Sequence, residues 1–241
     1  MALLGLALSA CGTATPPSAG TLQLVEHQLA GPPQLEPLRF QPLQGSQEEV
    51  LAEHASDRAM VISSQVTTVR GNPTISSLGE VGDLVAELVT AAQGKPEQTV
   101  KLSRGGRIVF ETPAGLPSPV LPLQALWTYN GHWALEILFA DQSTWAGEIF
   151  IDAELVNDLK GYDEAFGLQL LAGKPFFFYL RNGLVGYSYD GQEAELDDDE
   201  VPHYRCCGES VLNPVQAQNM VAFFAVREET WFYVELGAFK E

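Results

Sequence analysis

The residues best placed to do chemistry lie together at His203-Tyr204-Arg205-Cys206-Cys207. Two thiolates and an imidazole in so short a stretch are three potential ligands for zinc or copper. Zinc sites usually space their cysteines by about two to four residues, whereas adjacent residues of a strand point to opposite faces. A metal would therefore require Cys206 and Cys207 to sit on a loop. A disulfide between them is the alternative. Neighbouring Cα atoms lie ~3.8 Å apart across a trans peptide, short of the ~4.4–6.8 Å of ordinary disulfides. Such a bond would be strained and readily reduced. The plainest expectation is two small thiols packed at the edge of the core.

A second cluster is acidic. Asp190, Glu193, Glu195, Asp197, Asp198, Asp199 and Glu200 fall within eleven residues. Calcium wants about six to eight oxygens, and Asp190, Asp197, Asp198 and Asp199 are the candidates to supply them. The run lacks the Asp-x-Asp-x-Asp-Gly order of an EF-hand loop, so a solvated turn explains it more simply. Other motifs fail on inspection. The stretch from Gly167 to Lys174 has one residue too many for a phosphate-binding loop, and Pro175 stands where Ser or Thr is required. Gly186-Tyr-Ser188-Tyr-Asp190 lacks the final glycine of a nucleophile elbow. Paired acids suit glycoside hydrolysis, but 31 Asp and Glu residues always furnish some pair. Glu111, Glu136, Glu148 and Glu235 lie in or beside aromatic strands, and strand alternation places them on the solvent face.

Aromatic residues suggest a third chemistry. Trp127, Trp133, Tyr187 and Trp231 belong to hairpin segments and, if exposed, would form a platform for sugars or peptides. If buried they are core. In Phe176-Phe177-Phe178 the middle ring points opposite its neighbours, so one side of the trio is either exposed or covered by another element.

The start of the chain speaks to location. An apolar run ends in Leu8-Ser9-Ala10-Cys11-Gly12, followed by sequence rich in Thr, Pro and Ser. Leu8 to Cys11 resembles a lipobox, and the stretch after it resembles a lipoprotein tether. The likeness covers only these opening residues, and the basic start of such a signal is missing, since no Lys or Arg precedes Arg39. The resemblance implies a bacterial lipoprotein with lipid on Cys11, held extracytoplasmically on a membrane surface. The C-terminal half, from Gly161-Tyr-Asp-Glu-Ala-Phe-Gly167 through His203–Cys207 to Asn219-Met-Val-Ala-Phe-Phe224, resembles uncharacterised secreted bacterial proteins, which implies no activity.

The formal net charge of −18 argues against nucleic acid as a partner, because that binding rests on Lys and Arg neutralising phosphates. It argues equally against an anionic lipid surface as a direct ligand. Hydrophobic residues make up 46% of the chain and aromatics 10%, enough for a folded body.

Two helices are expected. One runs from Ser46 to Ala55, with Glu49 completing a capping box. The other runs from Asp83 to Gln93, where Val81, Leu84, Val85, Leu88 and Val89 share a helical face and Gly94 and Pro96 stop it. Most of the rest reads as antiparallel hairpins. They turn at Gly105-Gly106, Asn130-Gly131, Asn182-Gly183, Asp190-Gly191 and near Glu228. Three of them recur at a spacing of about 50 residues, as in propeller-type blades, but three units are few for a closed ring. A sandwich or twisted sheet explains the same pattern. The expected fold is therefore α+β, mainly β: hairpin-rich antiparallel sheets with one or two covering helices.

Residues 1–10 read as an incomplete signal peptide, 11–44 as lipidated Cys and Pro-rich tether, and 45–241 as one domain. Leu22–Val25 is the part of the tether able to pair with the body. The expected function is non-catalytic binding of an envelope protein, peptide or glycan. The competing expectations are a metal or redox protein built on His203, Cys206 and Cys207, and a hydrolase using acids on an aromatic sheet.

Overall fold

A computed structural model describes residues 22–33, 61–69, 72–90, 97–118, 120–204, 213–216 and 219–237. The chain is mainly β, and from β2 onward its sheets follow one another in sequence order. Strands β2 (Val61–Val69), β3 (Asn72–Val81), β4 (Leu84–Thr90), β5 (Gln98–Arg104) and β6 (Arg107–Gly115) form an antiparallel meander. A second meander holds β7 (Leu123–Tyr129), β8 (His132–Ala140), β9 (Trp145–Ile151) and β10 (Glu154–Leu155). One parallel pair, Gly115 with Ala140, hydrogen-bonds the two meanders into a nine-stranded sheet. The third sheet has the order β11 (Glu164–Leu171), β12 (Lys174–Arg181), β13 (Leu184–Tyr189), β14 (Gln192–Glu195). The fourth joins β15 (Val215–Gln216), β16 (Met220–Arg227) and β17 (Thr230–Gly237) to β1 (Gln23–Gln28), which pairs along β17.

Burial explains the stacking. Leu84, Ala86 and Leu88 of β4 and Val100 and Leu102 of β5 meet Leu126, Leu135, Ile137 and Phe150 of the second meander. The opposite face of that meander packs Trp127, Ala134 and Ile149 against Leu168, Phe177 and Tyr179 of the third sheet. The far face of the third sheet sends Phe166, Phe176, Phe178 and Tyr187 against Val221, Phe223, Val234 and Leu236 of the fourth. The Phe176–Phe178 trio is thus covered on both sides, as strand alternation demands. Fully burying one such ring contributes about 1.5–3 kcal/mol.

The hairpin signals are realised. Asn130 and Gly131 have φ of 48° and 86°, and Asn182 and Gly183 of 53° and 78°, the left-handed pair that a two-residue turn of this type requires. The turn between β16 and β17 uses Glu228 and Glu229 instead, at 49° and 63°. The three spaced hairpins exist, but not at equivalent places. In chain order β7–β8 are the sixth and seventh of the nine strands of their sheet, β12–β13 the second and third of four, and β16–β17 the third and fourth of four.

The helix expected over Asp83–Gln93 is overturned. Leu84–Thr90 is β4, a strand between β3 and β5. Leu84, Ala86 and Leu88 are buried in strict alternation, a period-two pattern hidden within the helical one. Val85, Val89 and Thr90 are β-branched and suit a strand. The Ser46–Ala55 segment lies outside the described residues. The helix among the described residues, α1 (Val156–Lys160), is short and closed by Gly161 at φ 69°. Among the described residues no helix is long and apolar enough to cross a membrane.

One ion cluster fastens β1 in place. Arg227 of β16 grips both carboxylate oxygens of Glu26 at 3.1 and 2.7 Å and reaches Asp198 at 3.0 Å. Asp198 is buried, which pushes its carboxyl pKa upward against the pull of Arg227.

Candidate functional site

The polar centre of the molecule begins with a β-bulge. The register of β11 against β12 shifts between Phe166 and Gln169, leaving Gly167 and Leu168 out of the ladder. Gly167 has φ +70°, a conformation that glycine adopts without cost. The two released N–H groups point at β8, where the Glu136 carboxylate accepts them at 3.1 and 2.6 Å. The carbonyl of Leu168 is taken by side chains as well, from Trp127 Nε1 of β7 at 3.1 Å and Gln216 Nε2 of β15 at 3.3 Å. One bulge therefore ties three sheets together.

Tyr204 completes the group by donating its hydroxyl to Glu136. Its backbone is left-handed, at φ 52°, although it is not glycine. Glu136 is 3% exposed, and burial pushes its pKa upward against the three donors that pull it down. Burial and the neighbouring Glu136 charge raise the Tyr204 phenol well above its ordinary value. The phenol is thus held protonated, as a fixed donor to a fixed acceptor.

His203 sits beside this pair. Its ring stacks on Phe166 with centroids 3.4 Å apart. Nδ1 donates to the Val201 carbonyl at 2.6 Å, and Nε2 lies 3.2 Å from Glu164 Oε1. With Nδ1–H committed, Nε2 can donate to Glu164 only when the ring carries both protons. Glu164 also accepts the Gly147 N–H at 3.0 Å. Gly147 permits the close approach: a Cβ there would stand 2.3 Å from the Ala165 carbonyl and 2.9 Å from the Tyr204 ring.

Two hollows flank this wall. An inner recess of about 220 Å³ is lined by Gln124, Glu136, Phe166 and Gln216, and an outer cleft of about 450 Å³ by Trp145, Glu164, Asp199 and Glu200. Both include His203 and Tyr204.

Of the residues singled out by sequence, Glu136 forms this centre, Trp127 reaches it through the Leu168 carbonyl and His203 sits beside it. Cys11, Cys206 and Cys207 lie outside the described residues. Among the described residues no three His, Cys, Asp or Glu side chains gather to hold a metal. Three of the four aspartates are engaged separately, Asp190 with Lys174, Asp198 with Arg227, and Asp199 with the Glu228 N–H at 2.8 Å, and Asp197 is exposed. The aromatic platform is corrected. Trp127, Trp133 and Tyr187 are buried and Trp231 is half-buried, because both faces of the inner sheets are covered. The solvent-facing reading of the strand acids fails for the same reason at Glu136, and Glu235 is buried as well. It holds at Glu111, which is exposed.

Glu148 is half-buried on β9, where burial and the nearby Asp158 carboxylate push its pKa up to about 7. An acid raised in this way favours folding below its ordinary value of 4.5, and that contribution is lost as pH rises through about 7. Glu148→Gln is therefore expected to match the parent near pH 4. At about pH 8 it should be more stable by about 1–2 kcal/mol, a figure discounted for partial exposure. Melting temperatures in the two buffers check this; a gain of equal size at both would refute it.

No protein-family model matches the chain, and neither does any curated protein.

Proposed function

We propose that this chain is a cell-envelope lipoprotein whose folded body is a non-catalytic binding domain, with its ligand seated against the His203–Tyr204 wall. The observation that carries the binding reading is the internal saturation of that wall. Glu136 already accepts three hydrogen bonds, Tyr204 is spent on Glu136, and Nδ1 of His203 is spent on the Val201 carbonyl while Nε2 faces Glu164. Such groups shape a recess without being free to move protons for a reaction. A phenol kept protonated by burial is also a poor nucleophile. Zinc or copper at His203 would have to draw Nε2 away from Glu164, and calcium would have to collect aspartates that are engaged apart.

The envelope location rests on the lipobox-like Leu8-Ser9-Ala10-Cys11. The test is to express the full chain in a bacterium, separate detergent and aqueous phases, and weigh the peptide bearing Cys11. Detergent partition with acyl mass on Cys11 is the expected result, and an aqueous protein with unmodified Cys11 would sink the anchor. The same preparation is assayed against chromogenic glycosides and esters. Turnover that disappears in Tyr204→Phe would replace the binding reading with an enzyme.

A further inference from the structure

We propose that the inner recess by itself holds a primary ammonium group carried on a short apolar stem, an inference that rests on the binding reading above. The first argument is a buried charge with an acceptor site to spare. Glu136 lines the recess and is 3% exposed. A carboxylate has about four lone-pair sites on its two oxygens. Oε1 accepts the Gly167 N–H and the Tyr204 hydroxyl, and Oε2 accepts the Leu168 N–H. These three donors are neutral, so they bond the carboxylate without cancelling its charge. Among the described residues they leave one site on Oε2.

The second argument is what shares the recess with that carboxylate. The amide nitrogen of Gln124 donates to the Leu121 carbonyl and that of Gln216 to the Leu168 carbonyl. A carbonyl only accepts, which fixes the orientation of both amides and leaves their oxygens as acceptors. Both glutamines line the inner recess. An ammonium brings three donors, a match for one carboxylate oxygen and two amide oxygens. Val120, Phe166 and Pro214 in the same wall offer apolar surface to the stem. A recess of about 220 Å³ takes such a head and stem and little more.

The third argument is burial. Away from water a charge-assisted contact gains strength, whereas exposed acids are screened by solvent and salt. A hydroxyl would supply a donor but no charge, and the carboxylate would stay buried without a counter-ion. An ammonium answers both needs.

The full chain is titrated by NMR with butylammonium, butanol and butyrate, which differ mainly in their head groups. The Gly167 and Leu168 amides report the recess. The amides of exposed Glu111 and Asp197 report general attraction to a chain of net charge −18. Butylammonium is expected to shift the recess amides saturably and to bind about tenfold tighter than butanol, with butyrate silent. Glu136→Gln should abolish this binding, and Gln124→Met, which leaves Glu136 and its three donors in place, should weaken it about fivefold. Nα-acetyl-lysine N-methylamide separates two sources of the same head: binding as tight as that of butylammonium assigns it to a protein lysine, and weaker binding to a free amine. Butanol or butyrate binding more tightly, and lost in Gln124→Met, would keep the recess as a binding site and overturn the ammonium. Equal shifts at Asp197 and Gly167 would reduce the effect to surface attraction and overturn the placement. An amine that binds only after Arg205→Ala would show that the chain's own guanidinium serves Glu136, and would overturn the ligand. Silence from every probe would overturn the ammonium, while the binding reading would still be judged by the turnover assay above.

Discussion

Glu136→Ala is expected to lose about 3–5 kcal/mol of stability, because it strands the Gly167 and Leu168 N–H groups and the Tyr204 hydroxyl in a buried site. In a domain of this size that loss lowers the melting temperature by about 10 °C or more. Tyr204→Phe alone removes one donor and should cost about 1–2 kcal/mol. The double variant should fall short of the sum, since each change removes the other's partner. Thermal unfolding followed by circular dichroism measures all three. A loss below about 1 kcal/mol for Glu136→Ala would mean that the carboxylate is dispensable to the bulge. The position matters because Glu136 connects β8 to β11 and, through Tyr204, to the wall shared by both hollows. Destabilising it should loosen the His203–Tyr204 wall before the outer sheets open.

Gly115→Ala is expected to be the most damaging glycine substitution. A Cβ there would lie 1.9 Å from the Ala140 carbonyl oxygen, and the residue sits at φ +74°. The backbone term costs about 1–2 kcal/mol and the clash about 1–3 more. Gly115 also makes the single parallel pair between the two meanders, and the next residue, Leu116, donates to Ala140 O at 2.7 Å. Gly105 supplies the control: it too has positive φ, at +55°, but nothing lies within 4 Å of its would-be Cβ. The excess loss of Gly115→Ala over Gly105→Ala isolates the clash. Hydrogen exchange should show the Leu116 amide losing protection in the first variant and keeping it in the second. Equal losses would remove the close approach as a cause.

The hairpins were legible because their turns are local. Asn-Gly and Gly-Gly between apolar runs need no knowledge of the rest of the chain, and Asn130, Asn182 and Gly105 turn as expected. The segment Asp83–Gln93 was misleading because Leu84, Val85, Leu88 and Val89 satisfy a helical period, while Leu84, Ala86 and Leu88 satisfy a strand period. The partner strands β3 and β5 decided between them. Glu136 was read as solvent-facing for a different reason. Its strand, His-Trp-Ala-Leu-Glu-Ile-Leu-Phe-Ala, is apolar at both even and odd positions, the mark of a strand buried on both faces. Read that way, a lone acid in its middle must find internal donors. The donors themselves come from a bulge in another sheet, and nothing in Phe166-Gly167-Leu168 names Glu136 as their target. His203 stood out for its neighbours Cys206 and Cys207, yet its partners in the structure are Phe166, Val201 and Glu164.

The pairing of β1 with β17 has a mechanical meaning. Any tension reaching the body from the residues ahead of Gln23 enters through this strand. From Gln23 opposite Gly237 to Gln28 opposite Phe232, its rungs lie side by side along the strand. A pull along its axis shears them all at once and does not peel them one at a time. The Arg227 grip on Glu26 adds a rivet midway along the strand, backed by buried Asp198. The body would therefore bear such a pull as a load spread over a whole strand.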